Sequence, residues 1–113
     1  MSSTTPQVTS FAQGAILTLS GELDAYDAPA LRESFAKVAA EHAGKVVVLD
    51  LTSLAFLDST ALGTIVGLLR RVREGDGELR VVLPEGEARR IFELTALDRA
   101  LDVRESRAAA TAG

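Results

Sequence analysis

The chain has 113 residues, with 12 lysines and arginines against 16 aspartates and glutamates, a formal charge of −4 and an apolar share of 47%. Such a composition supports one globular domain and excludes intrinsic disorder. It also lacks the basic balance expected of a nucleic-acid or anionic membrane-surface binder. The absence of cysteine excludes disulfides, thiolate nucleophiles and cysteine-ligated metals, and agrees with a cytoplasmic location. The opening residues 1–6 carry neither a basic nor an apolar stretch, so they are expected to be a flexible N-terminus without a signal peptide. The longest apolar-looking stretch, 61–69, is interrupted by Gly and Thr and falls short of the ~20 residues that span a bilayer.

In chain order, 8–13 and 15–20 are β-prone runs that predict a hairpin. The segment from Gly21 to Asp27 reads as a connection, with Asp27 as a cap and Pro29 in a first helical turn. Leu31, Phe35, Val38 and His42 share one face of that first helix, and Gly44 ends it. Residues 45–51 form a nearly continuous β-branched run, the mark of a strand covered on both faces, and 52–57 read as a loop. Asp58, Ser59 and Thr60 open a second helix carrying Leu62, Ile65, Val66, Leu69 and Val72, which stops at Gly75-Asp76-Gly77. A strand at 79–83, an amphipathic helix at 85–97 and a short last strand at 101–103 follow, with 106–113 as a frayed flexible tail. Strands alternating with helices predict an α/β domain over 7–105, built on a mixed β-sheet of four to five strands.

Enzyme signatures are missing. Gly75 and Gly77 are not followed by the third glycine of a dinucleotide loop, and no glycine-rich loop ends in Gly-Lys. His42 is the sole histidine and reads as structural, near a helix C-terminus. The surroundings of Ser59 lack the glycines of a nucleophile elbow. Glu22, Asp24 and Asp27 lack the spacing of a calcium loop and read as capping and turn residues. Gly63 and Gly67 read as small residues that bring a helix close to the sheet. Arg70, Arg71 and Arg73 read as a solvated helix end. No cofactor and no metal site is expected. Ser59 stands apart: a hydroxyl at a helix N-terminus can receive a phosphate without unfolding the helix, because free N–H groups and the dipole favour negative charge there.

Three stretches then carry a family resemblance. They are Gly21-Glu22-Leu23-Asp24 with Ala28-Pro29 and Leu31, then Val47-Val48-Leu49-Asp50-Leu51, then Phe56-Leu57-Asp58-Ser59; Ile91-Phe92-Glu93-Leu94-Thr95 with Leu97-Asp98 agrees. In this order the chain resembles the bacterial anti-sigma factor antagonists of the STAS (sulfate transporter and anti-sigma antagonist) domain family over about 8–103. The resemblance implies a mixed sheet with helices packed on one side. It further implies a protein that, unphosphorylated, binds an anti-sigma factor with serine kinase activity and so releases a sigma factor. Phosphorylation of the serine matching Ser59 ends binding, and a PP2C-type phosphatase restores it. Asp24, Asp58, Ser59 and Thr60 are the residues expected to meet the partner. The chain departs from the family pattern at Ala61, where glycine is usual, and at Asp27, where threonine is common. The implied protein is non-catalytic; the modest charge and lack of an evident apolar patch independently predict a monomer that binds neither nucleic acid nor membrane. The alternative is a non-catalytic STAS subunit of a larger assembly, a signalling scaffold or lipid transport complex; a small hydrolase using Ser59 has little support.

Overall fold

The computed structural model describes residues 6–112. The expected flexible N-terminus thus lies, apart from Pro6, outside the described residues. The elements are β1 (Gln7–Phe11), β2 (Gly14–Leu23), α1 (Ala28–Glu41), β3 (Val46–Leu57), α2 (Ser59–Glu74) and β4 (Glu78–Val82). They continue with α3 (Glu87–Leu94), α4 (Leu97–Ala100), β5 (Asp102–Arg104) and α5 (Arg107–Thr111). The five strands lie in the order β1-β2-β3-β4-β5, β1 antiparallel to β2 and the remaining neighbours parallel. This is the mixed α/β sheet that the alternation of elements predicts.

Side chains alternate across a strand, so each register row has one face. Leu17, Leu49 and Val81 point to the face covered by α1, α2 and α3, where they meet Leu31, Phe35, Ile65, Leu68 and Phe92 in the main core. Each fully buried leucine or phenylalanine there contributes about 1.5–3 kcal/mol. The opposite face carries Ile16, Val48 and Val82, and it is not bare: Ala110 of α5 packs against them. Helices therefore lie on both faces. The tail expected to fray at 106–113 instead forms α5, with Ser106 Oγ capping it by accepting from the Ala109 amide at 3.1 Å.

Four neighbouring residues on that second face, Thr18, Asp50, Val82 and Arg104, form one row across β2 to β5 and carry α5. Arg107 donates to Asp50 Oδ2 at 2.9 Å and to the Thr18 hydroxyl at 2.8 Å. Arg104 and Arg80 donate to the carbonyls of Ala109 and Ala110 at 2.9 and 2.8 Å, placing cations at the negative end of the helix. Burial pushes the Asp50 carboxyl upward, but hydrogen bonds from Thr52 and the Arg107 guanidinium outweigh it and hold the group below the ordinary carboxylate value.

Three further elements differ from the sequence expectation. β2 runs through Gly21 to Leu23 and β3 through Thr52 to Leu57, where a connection and a loop were expected. Two register shifts, one beside Gly21 at φ 79°, keep the pair hydrogen-bonded while breaking the alternation that sequence patterning needs. The helix expected over 85–97 is two pieces, parted at Ala96 in the left-handed region at φ 60°. The break lets Leu97 join the main core together with buried Leu101. Gly63 and Gly67 do not bring α2 onto the sheet: a Cβ at either would meet nothing within 4 Å. Each lowers helix propensity by about 0.8–1.0 kcal/mol relative to alanine with no packing return.

Candidate functional site

Beyond Asp50, β3 has no β4 partner and continues paired with β2 alone, Glu22 opposite Phe56 and Leu23 opposite Leu57. This two-stranded extension delivers the loop of Asp24–Asp27 and the start of α2 side by side. Asp58 fastens them. Its own N–H donates to the Leu23 carbonyl at 3.1 Å, and its carbonyl accepts from Leu62 at 2.9 Å. Oδ1 accepts from the Ala61 amide at 2.9 Å as the N-cap of α2, and Oδ2 accepts from the Ala25 amide at 3.0 Å. Asp58 thus has extended N-cap geometry, as the sequence predicts, and adds an anchor for a loop 33 residues away that the sequence does not reveal.

Ser59 and Thr60 follow on the first turn of α2, and both are exposed. The Ser59 hydroxyl has no hydrogen-bond partner among the described residues. First-turn N–H groups have no intrahelical acceptor, and Asp58 takes only that of Ala61. Ala61 itself is fully buried in the main core, so its methyl group is a packing group.

Asp24 is exposed; its Oδ1 accepts from the Tyr26 amide at 3.0 Å. Asp27 sits at the N-cap of α1 but does not cap it. Its backbone is already helical at φ −82°, ψ −14°, and its buried carboxylate turns back to accept from the Asp24 amide at 3.2 Å. Aspartates 24, 27 and 58 therefore share one loop junction, and every donor recorded to them is a backbone amide. A phosphate on Ser59 would meet the helix N-terminus but add its charge to an acidic surround.

Apolar exposure around this junction went unread in the sequence. Tyr26 is 72% exposed and Phe56 46%. Phe56 also lines a hollow of about 260 Å³ with Ala88, Ile91 and Leu94 of α3, and Leu94 is 79% exposed. The available signals were an aromatic inside the acidic turn of Asp24–Asp27 for Tyr26, an aromatic in a stretch read as a loop for Phe56, and a position off the apolar face of Ala88, Ile91 and Phe92 for Leu94. Among the described residues no group of three acidic or histidine side chains is placed to hold a metal ion, the Glu22, Asp24 and Asp27 set included. No helix there is long and apolar enough to cross a membrane. His42 lies with Nδ1 2.9 Å from the Val38 carbonyl, closing the end of α1.

Fold and site together define a small α/β domain that presents an exposed serine at a capped helix N-terminus, amid acidic and apolar surface. Comparison with known proteins gives the particular family. The STAS domain model matches residues 4–110, and the chain belongs to that family. The chain is 34% identical over 86 residues to the anti-sigma-B factor antagonist of Listeria monocytogenes, covering 76% of this chain and 75% of the relative. It is 31% identical over 87 residues to the one of Bacillus subtilis, covering 77% and 78%. Among solved structures, an anti-sigma factor antagonist from Mycobacterium paratuberculosis superposes with a TM-score of 0.86 at 28% identity, over 96% of this chain and 91% of that one.

Proposed function

We propose that this protein is an anti-sigma factor antagonist without catalytic activity of its own. Unphosphorylated, it binds an anti-sigma factor that is also a serine kinase and so frees a sigma factor. Phosphorylation of Ser59 ends the complex, and a PP2C-type phosphatase restores it. The single observation that carries this reading is the exposed Ser59 hydroxyl on the first turn of α2, held in place by Asp58. The names of the relatives support the partner class.

In this reading Ser59 is the phosphoacceptor, Asp24 and Thr60 meet the partner, and Asp58 acts mainly by positioning, since both its carboxylate oxygens are engaged within the chain. The chemistry of the switch is electrostatic. A phosphoryl group adds roughly −1.5 to −2 charges beside Asp24 and Asp58. The helix dipole and the free N–H groups offset part of this, so the fold persists. A partner surface that closed over a neutral hydroxyl must instead desolvate a dianion. Turning a 99:1 preference for the bound state into 1:99 takes about 5.5 kcal/mol, which one buried, unpaired phosphate can supply.

The test is incubation with a purified anti-sigma factor kinase and ATP, followed by mass spectrometry of wild type, Ser59→Ala and Thr60→Ala. Phosphate is expected on wild type and Thr60→Ala and not on Ser59→Ala. Phosphate retained on Ser59→Ala would move the switch to Thr60, and no transfer to wild type would end the reading.

A further inference from the structure

Beside the junction lies a groove of about 470 Å³ to which α1 contributes Arg32 and α2 contributes Thr60, Gly63, Gly67, Arg70 and Arg71. Three observations set it apart. First, it inverts the charge of the molecule: three arginines and one acid, Glu74, line it in a chain of net charge −4. Second, its arginines are unused by the fold. Of ten arginines, Arg73, Arg80, Arg89, Arg104 and Arg107 each donate to a carbonyl or carboxylate within the chain. The other five, Arg32, Arg70, Arg71, Arg90 and Arg99, make no such bond among the described residues, and three of these five line this one groove. Third, Gly63 and Gly67 leave helix backbone bare along the groove where a Cβ would touch nothing, so packing does not account for them.

Shape and lining choose the occupant. The run from Thr60 to Arg71 covers roughly 16 Å at 1.5 Å per residue, too long for a single phosphate. No aromatic side chain lines it to stack a nucleotide base. An extended row of cations over exposed backbone fits a polypeptide that carries carboxylates at intervals. Thr60 joins this groove to its chain neighbour Ser59, so a protein seated over Ser59 is already at its mouth.

We propose that the groove of Arg32, Arg70 and Arg71 docks an acidic segment of the kinase that phosphorylates Ser59. The proposal deepens the function proposed above and rests on it. The groove acts at a distance from the reacting hydroxyl; it adds affinity and on-rate, not chemistry, and selects against partners whose facing surface is basic.

The experiment is steady-state phosphorylation of Ser59 by a purified anti-sigma factor kinase, with KM and kcat separated, on three proteins. These are wild type, the charge reversal Arg32→Glu/Arg70→Glu/Arg71→Glu, and Gly67→Trp, which fills the groove from a position where added atoms meet open space. The reversal should raise KM tenfold or more with kcat within twofold of wild type, and the defect should shrink as salt screens the charges. Gly67→Trp should raise KM at every salt concentration without lowering the melting temperature. KM within twofold of wild type for both variants overturns the groove while leaving Ser59 as the switch. If the reversal does not fold, Gly67→Trp decides alone. Failure of the kinase to modify wild type removes the parent reading, and this proposal with it.

Discussion

Two aspartates tie distant parts of this chain together, and they do it with different chemistry. Asp58 binds the loop after β2 to the start of α2 using backbone amides only, Ala25 and Ala61. Asp50, buried on the opposite face of the sheet, holds α5 through the guanidinium of Arg107 at Oδ2, while its Oδ1 accepts locally from the hydroxyl and amide of Thr52. A carboxylate satisfied by neutral donors keeps its full charge beside Ser59. A carboxylate paired with a cation is neutralised locally and becomes sensitive to salt and acid. The difference teaches that the three aspartates of the junction are held by backbone amides alone, whereas the second face holds α5 with the help of an ion pair.

The largest expected effect tests the junction as a charge switch. Ser59→Asp should weaken binding to the anti-sigma factor kinase at least a hundredfold, or about 2.8 kcal/mol, while Ser59→Ala binds within a few-fold of wild type in the same calorimetric titration. Equal affinity for Ser59→Asp and wild type would break the comparison at its centre. Next in size is Asp58→Ala, which removes the α2 cap and the Ala25 anchor together. It should cost about 1–2 kcal/mol and lower the melting temperature by several degrees, at roughly 4–8 °C per kcal/mol for domains near this size. High salt should not rescue or worsen that loss, because the donors are uncharged.

Arg107→Ala is expected to cost less, up to about 1 kcal/mol, since Arg107 is half exposed. Hydrogen exchange should place the loss in α5, and salt should shrink it. The sign of the pH dependence follows from Asp50. Its folded value lies below the ordinary 3.8, so its contribution is present above that pH and disappears as pH falls through the lower folded value. Melting curves of wild type and Arg107→Ala should therefore differ at neutral pH and converge in acid below the ordinary value; a constant gap would show that Arg107 acts by packing. The smallest stability effect belongs to Asp24→Asn, within about 0.5 kcal/mol, because the amide oxygen can still accept from Tyr26. The Ser59 phosphorylation rate should nonetheless change, and an unchanged rate would leave Asp24 as a turn residue only.

What the sequence determined alone is local. The α/β alternation, the start of α2 at Asp58 and Ser59, and its stop at Gly75 follow from periodicity, capping and turn chemistry, which act between residues a few positions apart, while α1 stops at His42, ahead of the expected Gly44. The motif order also carried the resemblance to the family whose model matches residues 4–110. Tertiary structure decided the rest. Whether 52–57 is loop or strand depends on pairing with Ser20–Leu23, and the exposed half of that ribbon shows no alternation to read. Asp27 has the residue type and position of a cap, but its buried carboxylate turns toward the Asp24 amide instead. Residues 107–111 have almost no apolar face, and α5 exists because Asp50, Arg80 and Arg104 lie beneath it on strands far earlier in the chain or just before it. Asp58 carried both kinds of information: its cap reaches three residues ahead and is legible, while its hold on Ala25 spans 33 residues and required the fold, since hydrogen bonds between distant segments leave no period in a sequence.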